Sequence, residues 1–152
     1  SLVIAGTNGE TGNPLLHGEI STLNRFYEMP DRPSTRDLIF LSTHEPCPLC
    51  LSAITWAGFD NFYYFFTYQD SRDAFAIPHD LLIMREVFGV DDGAYRRSNE
   101  FWTAYFIGDL VESEPEPLRT QLREQDQRIR DRYLTLSEQY QLTKGDNDIP
   151  FN

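Results

Sequence analysis

The chain has 152 residues and a formal charge of −11, with 40% hydrophobic and 14% aromatic residues, enough for one buried core without disulfide staples. The acidic balance opposes binding to phosphate backbones, which rests on Lys and Arg displacing counterions, so nucleic acid is not an expected partner. No apolar run is long enough to cross a bilayer and no signal-peptide pattern is present, so the expected compartment is the cytoplasm, where a structural disulfide between Cys47 and Cys50 is disfavoured.

In chain order, Leu2 to Thr7 (LVIAGT) reads as a short strand ending in a Gly-Thr-Asn-Gly turn. After Asn13-Pro14, apolar residues recur at helical spacing from Leu15 through Leu23 and Phe26 to Tyr27, until Pro30 stops them. Leu38 to Leu41 is a predicted buried strand, Pro48 to Ala57 a helix and Phe62 to Thr67 an aromatic strand. A turn is expected around Asp70 to Asp73 and a helix over Ile77 to Phe88. Phe101 to Val111 suits either a strand or a helix. Glu114 to Tyr140 carries Leu118, Leu122, Ile129, Tyr133 and Leu136 among many charges, which predicts a long amphipathic helix with a solvated face. Strands alternating with helices indicate an α/β layered sheet. One domain over 1–152 is expected, with 112–152 a C-terminal helical extension and the final KGDNDIPFN a loose tail.

The stretch THEPCPLC holds the only two cysteines. Cys-x-x-Cys serves redox couples, metal sites and buried thiols alike. At a helix start, the dipole and free N–H groups favour thiolate, with Thr43 or Glu45 available as cap. Two thiolates can share one metal ion, and a catalytic zinc takes a third protein ligand while keeping one position open. Of the three histidines, His44 is cramped against both cysteines across a tight turn, and His79 follows a proline in a loop. His17 stands in LLHGE, with Glu19 two residues on. Side chains two apart on a regular helix diverge by roughly 200°, so both address one point only where the helix begins.

His17, Glu19, Pro46, Cys47 and Cys50 spell H-x-E followed by P-C-x-x-C, the signature of zinc-dependent nucleobase deaminases. The sequence resembles the cytidine deaminase-like superfamily. EPCPLCLSAITWAGF is most similar to the bacterial guanine deaminase and tRNA adenosine deaminase branch, and the likeness is good over Leu2 to Thr67. The resemblance implies a three-layer α/β/α fold with a mixed five-stranded sheet and zinc between two helix N-termini. It assigns His17, Cys47 and Cys50 as zinc ligands and Glu19 as the proton shuttle. Asn8 matches a base-contacting asparagine and Trp56 a tryptophan of guanine deaminases, and both are expected among the substrate contacts, as is Gly18. Gly18 replaces the usual Ala or Val and allows close approach to the base.

The family's opening helix and first strand are apparently missing here, which predicts an exposed sheet edge that needs a cover. Asp70, Asp73, His79 and Asp80 lie where the family closes over its substrate, with Asp73 and His79 the chosen substrate contacts. A carboxylate there suits the N–H edge of guanine or a related heterocycle. The expected activity is a zinc-dependent aminohydrolase acting on a cyclic amidine: a free nucleobase, guanine first, as a homodimer. The alternatives are a tRNA adenosine or cytosine/cytidine deaminase, or a noncatalytic zinc-stabilised scaffold, against which Glu19 argues.

Overall fold

The computed structural model describes residues 1–143 and 145. Three strands, β1 (Leu41–His44), β2 (Asn61–Phe66) and β3 (Thr103–Phe106), form a parallel sheet in that order. The helices are α1 (Gly18–Tyr27), α2 (Pro48–Trp56), α3 (Tyr68–Asp73), α4 (His79–Phe88), α5 (Ile107–Ser113) and α6 (Leu118–Thr143). Parallel neighbours need long crossovers, and α2 supplies the first while α3 and α4 supply the second. The α/β class holds.

Strand β2 organises the layers through its period-two alternation. Phe62, Tyr64 and Phe66 are buried, while Asn61, Tyr63 and Phe65 face the other way and are half-buried. Phe62 and Tyr64 share one core with Leu23 of α1, Ile54 of α2, Phe40, Phe59 and Trp102. Ile54 and Phe62 are fully excluded from solvent, and burying each such side chain contributes about 1.5–3 kcal/mol. On the opposite face Tyr63 stacks on Tyr105, and the Arg130 guanidinium of α6 lies over Phe65.

Several sequence expectations are corrected. Leu2 to Thr7 is not a strand. Its Ala5 carbonyl accepts from Arg25 of α1, and Gly6 lies so close to Thr22 that an added Cβ would stand 2.2 Å from the hydroxyl. A β-pattern becomes a strand only where a neighbouring backbone completes the ladder, and here the neighbour is a helix. The sheet has three parallel strands among the described residues, not five mixed ones; its antiparallel element is the single bridge Ser98 to Thr103.

Elsewhere boundaries move. Strand β1 shares only Leu41 with the apolar run, because the ladder begins where β2 is alongside; Ile39 and Leu41 are exposed and Phe40 is buried. The turn expected at Asp70 to Asp73 is helix α3, opened by a capping box in which Thr67 and Asp70 satisfy each other's backbone N–H. Pro78 delays the start of α4, and Gly89, with φ +65°, ends it. Both readings of Phe101 to Val111 are present, since β3 runs directly into α5. The tail expected at 144–152 lies outside the described residues apart from position 145.

Glu45 fastens the second half of the chain to the first. Its side chain is fully enclosed, and it accepts from Arg97, from the Tyr95 hydroxyl and from the Tyr68 backbone N–H. The Tyr68 hydroxyl in turn donates to the Pro46 carbonyl at 2.5 Å. Burial pushes the Tyr95 and Tyr68 phenols up, so both remain donors. Glu45→Ala would strand the buried Tyr68 N–H and is expected to cost about 2–3 kcal/mol. Urea unfolding should show a lower midpoint at unchanged slope; an unchanged midpoint would show that water replaces the carboxylate freely.

Candidate metal centre

Two helices begin beside one another. His17 is the N-cap of α1 and Cys47 the N-cap of α2, each with extended backbone (ψ 158° and 169°) that turns the side chain across the helix mouth. Pro48 occupies the first helical turn, where its missing N–H costs nothing. Cys50 follows one turn later and is completely buried. Neither Thr43 nor Glu45 caps this helix, contrary to expectation; Glu45 is committed to Arg97, Tyr95 and Tyr68.

His17 Nδ1 stands 3.4 Å from Cys47 Sγ and 3.6 Å from Cys50 Sγ, and the three donor atoms lie within 4.8 Å of one another. Tetrahedral zinc, with bonds of about 2.3 Å to sulfur and about 2.0 Å to nitrogen, places S and N ligands roughly 3.5 Å apart. The donors are therefore spaced as the ion requires, and the Cys₂His set leaves a fourth position open. Glu19 stands beside this cluster and not in it. Its Oε1 accepts from Ser42 Oγ at 2.6 Å, and its Oε2 accepts from the Cys50 thiol at 3.4 Å.

Residues 1–66 match the family described as the cytidine and deoxycytidylate deaminase zinc-binding region. The segment that carries His17, Glu19, Cys47 and Cys50 is thus similar to the zinc-binding region of that deaminase family. Guanine deaminase of Bacillus subtilis is 28% identical over 76 residues, covering 49% of each chain, so the match spans about half the length of that curated relative. No solved structure matches the chain.

The deaminase-like centre is strongly polarised. Cys47 is held well below the usual thiol range, at about 5. The largest cause is the hydrogen bond from the Cys50 thiol; further support comes from His17 and the Cys50 backbone N–H, against the cost of burial. Cys50 moves the opposite way, because a thiolate already beside it and its own burial oppose a second negative charge. His17 is raised to about 9, chiefly by its hydrogen bond to Cys47 and by the negative charges of Cys47, Glu10 and Glu19, although burial works against it.

Other residues singled out from the sequence fall into two groups. Asn8 sits just upstream of the centre, its Oδ1 accepting from the Glu10 N–H at 2.7 Å, which leaves its NH₂ as the group it can offer a ligand. Gly18 opens α1 beside Asn8, but an added Cβ would meet only ordinary contacts of 3.6 Å and 3.8 Å, so a methyl group fits there. His79 opens α4, followed by Asp80, whose carboxyl burial raises to about 7 and which feels the charges of Cys47, His17, Glu19 and Glu10.

Trp56, by contrast, ends α2 at the opposite pole from Cys47 and is 90% exposed. Asp73 is also exposed and paired with its neighbour Arg72. Asp70 pairs with Arg130 of α6. His44 packs among Phe66, Phe75 and Tyr133, where burial lowers its basicity. The structure thus does not bring Trp56 or Asp73 to the centre, while His44 lies near enough to feel the Glu19 charge. Sequence reasoning missed Ser42 and Glu10. Ser42 carried no signal of its own, because its inward direction is set by its place as the buried second residue of β1.

Before the ion binds at pH 7, His17 and Cys50 hold protons and Cys47 does not. Zinc loading should therefore release about two protons, and affinity should climb as the pH rises towards 9, where His17 gives up its proton. Calorimetry in two buffers of different ionisation enthalpy counts these protons; release of none would contradict the assigned protonation.

Proposed function

We propose that the chain is a zinc-dependent deaminase that hydrolyses an amino-substituted nucleobase, guanine first, to the oxo product and ammonia. The observation that carries this reading is the placement of Glu19. It is anchored by Ser42 at the edge of an open Cys₂His set, yet contributes no atom to the ligand triangle. A carboxylate so held is free to move protons, and a scaffold has no use for it.

Bound zinc, held by His17, Cys47 and Cys50, would acidify water and serve as a Lewis acid. Glu19 takes a proton from the attacking water as its oxygen bonds to the ring carbon bearing the amine. The carboxyl then gives a proton to the adjacent ring nitrogen. The remaining proton of the added hydroxyl passes through Glu19 to the amine; the C–N bond breaks, ammonia leaves, and the carbon retains the oxygen as a carbonyl. Ser42, donating to Oε1 at 2.6 Å, limits the rotation of Glu19 so that Oε2 stays on the sulfur side.

Two groups support a purine-like base. Asp80, on the first turn of α4, forms no hydrogen bond or ion pair among the described residues although neighbours enclose it, so its oxygens suit ring and exocyclic N–H donors. Asn8, in the segment before α1, offers N–H to a ring acceptor. The likeness to Bacillus subtilis guanine deaminase favours the same substrate, and the charge of −11 disfavours tRNA.

Ammonia release across guanine, cytosine, adenine, their nucleosides and tRNA tests the substrate. Guanine should be turned over fastest, and no release from any compound at full zinc occupancy would leave the scaffold reading standing. Glu19→Gln should retain zinc and lose about 10²–10⁴-fold in kcat; undiminished turnover would remove Glu19 from its role. Asp80→Asn should raise KM for guanine about tenfold or more while changing kcat less, the loss expected of a charged hydrogen bond. An unchanged KM would show that Asp80 does not touch the base.

A further inference from the structure

His17 has two ring nitrogens, and only one faces the sulfurs. Nδ1 points at Cys47 and Cys50, while Nε2 lies 3.2 Å from Glu10 Oε1. Both side chains are largely shielded, with 29% and 21% relative exposure, which excludes the loose surface pair that solvent would screen.

The backbone holds this contact. Gly9 N–H donates to the Leu16 carbonyl at 2.8 Å and closes the neck of a loop; Glu10 and His17 each stand one residue after a member of that neck pair. Inside the loop, Gly12 N–H bonds to Gly9 and Leu16 N–H bonds to Asn13. Asn13 Oδ1 accepts from Leu15 N–H, and Asn8 Oδ1 accepts from Glu10 N–H. Glu10 is therefore placed against the imidazole by main-chain closure and not by a chance rotamer. An imidazole can bind a cation through Nδ1 only when its proton sits on Nε2, and a carboxylate facing Nε2 holds it there.

We propose that Glu10 is a positioning residue of the metal centre: it accepts the Nε2–H of His17, fixes the tautomer that presents Nδ1 to zinc, and strengthens the imidazole as a donor. This rests on the His17, Cys47 and Cys50 metal site but not on the identity of the substrate. His17 lies seven positions after the acid that serves it, and Glu19 bonds instead to Ser42 and Cys50. The two acids divide the work, one orienting a ligand and the other moving protons.

Competition titration against a chromophoric chelator at fixed pH measures zinc affinity without reference to activity. Glu10→Ala should weaken zinc about 10- to 100-fold, whereas Glu10→Gln, whose amide oxygen still accepts from Nε2–H, should recover most of that loss. Nitrogen NMR of zinc-loaded wild type and Glu10→Gln should show His17 protonated at Nε2 and metal-shifted at Nδ1. Zinc affinity of Glu10→Ala within twofold of wild type would overturn the proposal, as would Glu10→Gln falling as far as Glu10→Ala or a protonated Nδ1 in the loaded protein. Loss of affinity in Cys47→Ala alongside an unaltered Glu10→Ala would refute the role of Glu10 and leave the metal site intact. A wild-type chain that binds no zinc would take down both.

Discussion

His17 and Cys47 are both N-cap residues, and the centre depends on α1 and α2 starting side by side. Each helix mouth carries roughly half a positive charge in unsatisfied N–H groups. Bringing two together is unfavourable unless negative groups lie between them. The Cys47 thiolate and Glu19 lie at the two mouths, with Glu10 behind the imidazole; the hydrogen bond to Cys47 and these charges account for the raised His17 and the charges, in part, for the raised Asp80. The packing that enforces the approach lies a turn or two deeper, where Leu23 of α1 and Ile54 of α2 meet Phe62 and Tyr64 of the central strand. Apolar burial thus holds in place an electrostatic arrangement that would not assemble by itself.

The cluster of His17, Cys47 and Cys50 was legible in the sequence because zinc chemistry restricts residue type so sharply. A histidine, a nearby glutamate and a Cys-x-x-Cys after proline admit few other joint readings. The supporting groups were not legible for the opposite reason. Ser42 is an ordinary polar residue on a short strand, and only the inward direction of its side chain gives it a role. Glu10 lies across a loop whose closure is made by main-chain bonds, and main-chain bonds leave no mark on side-chain identity.

Helices α1, α2 and α6 were readable from apolar spacing, and β2 from its aromatic alternation. The misreadings share one cause, because β-patterns describe a willingness to pair and not the partner. Leu2 to Thr7 has the composition of a strand but lies along α1, while Ser42, Thr43 and His44 look like loop yet complete the edge of the sheet. Trp56 shows the same gap for function. Its motif position suggested a pocket, but nine residues of helix carry it to the far end of α2.

Glu45 gives the architecture an order in time. All three residues of the candidate metal centre have been synthesised by Cys50, but the guanidinium of Arg97 that neutralises Glu45 comes 52 residues after that carboxylate. At roughly 5–20 residues per second on the ribosome, the carboxylate next to the metal-binding motif waits several seconds for its counterion. During that interval the nascent chain holds a complete ligand set without the scaffold that shapes it. The residues of the candidate metal centre are thus made before Phe62 and Tyr64, whose packing holds the two helix mouths together.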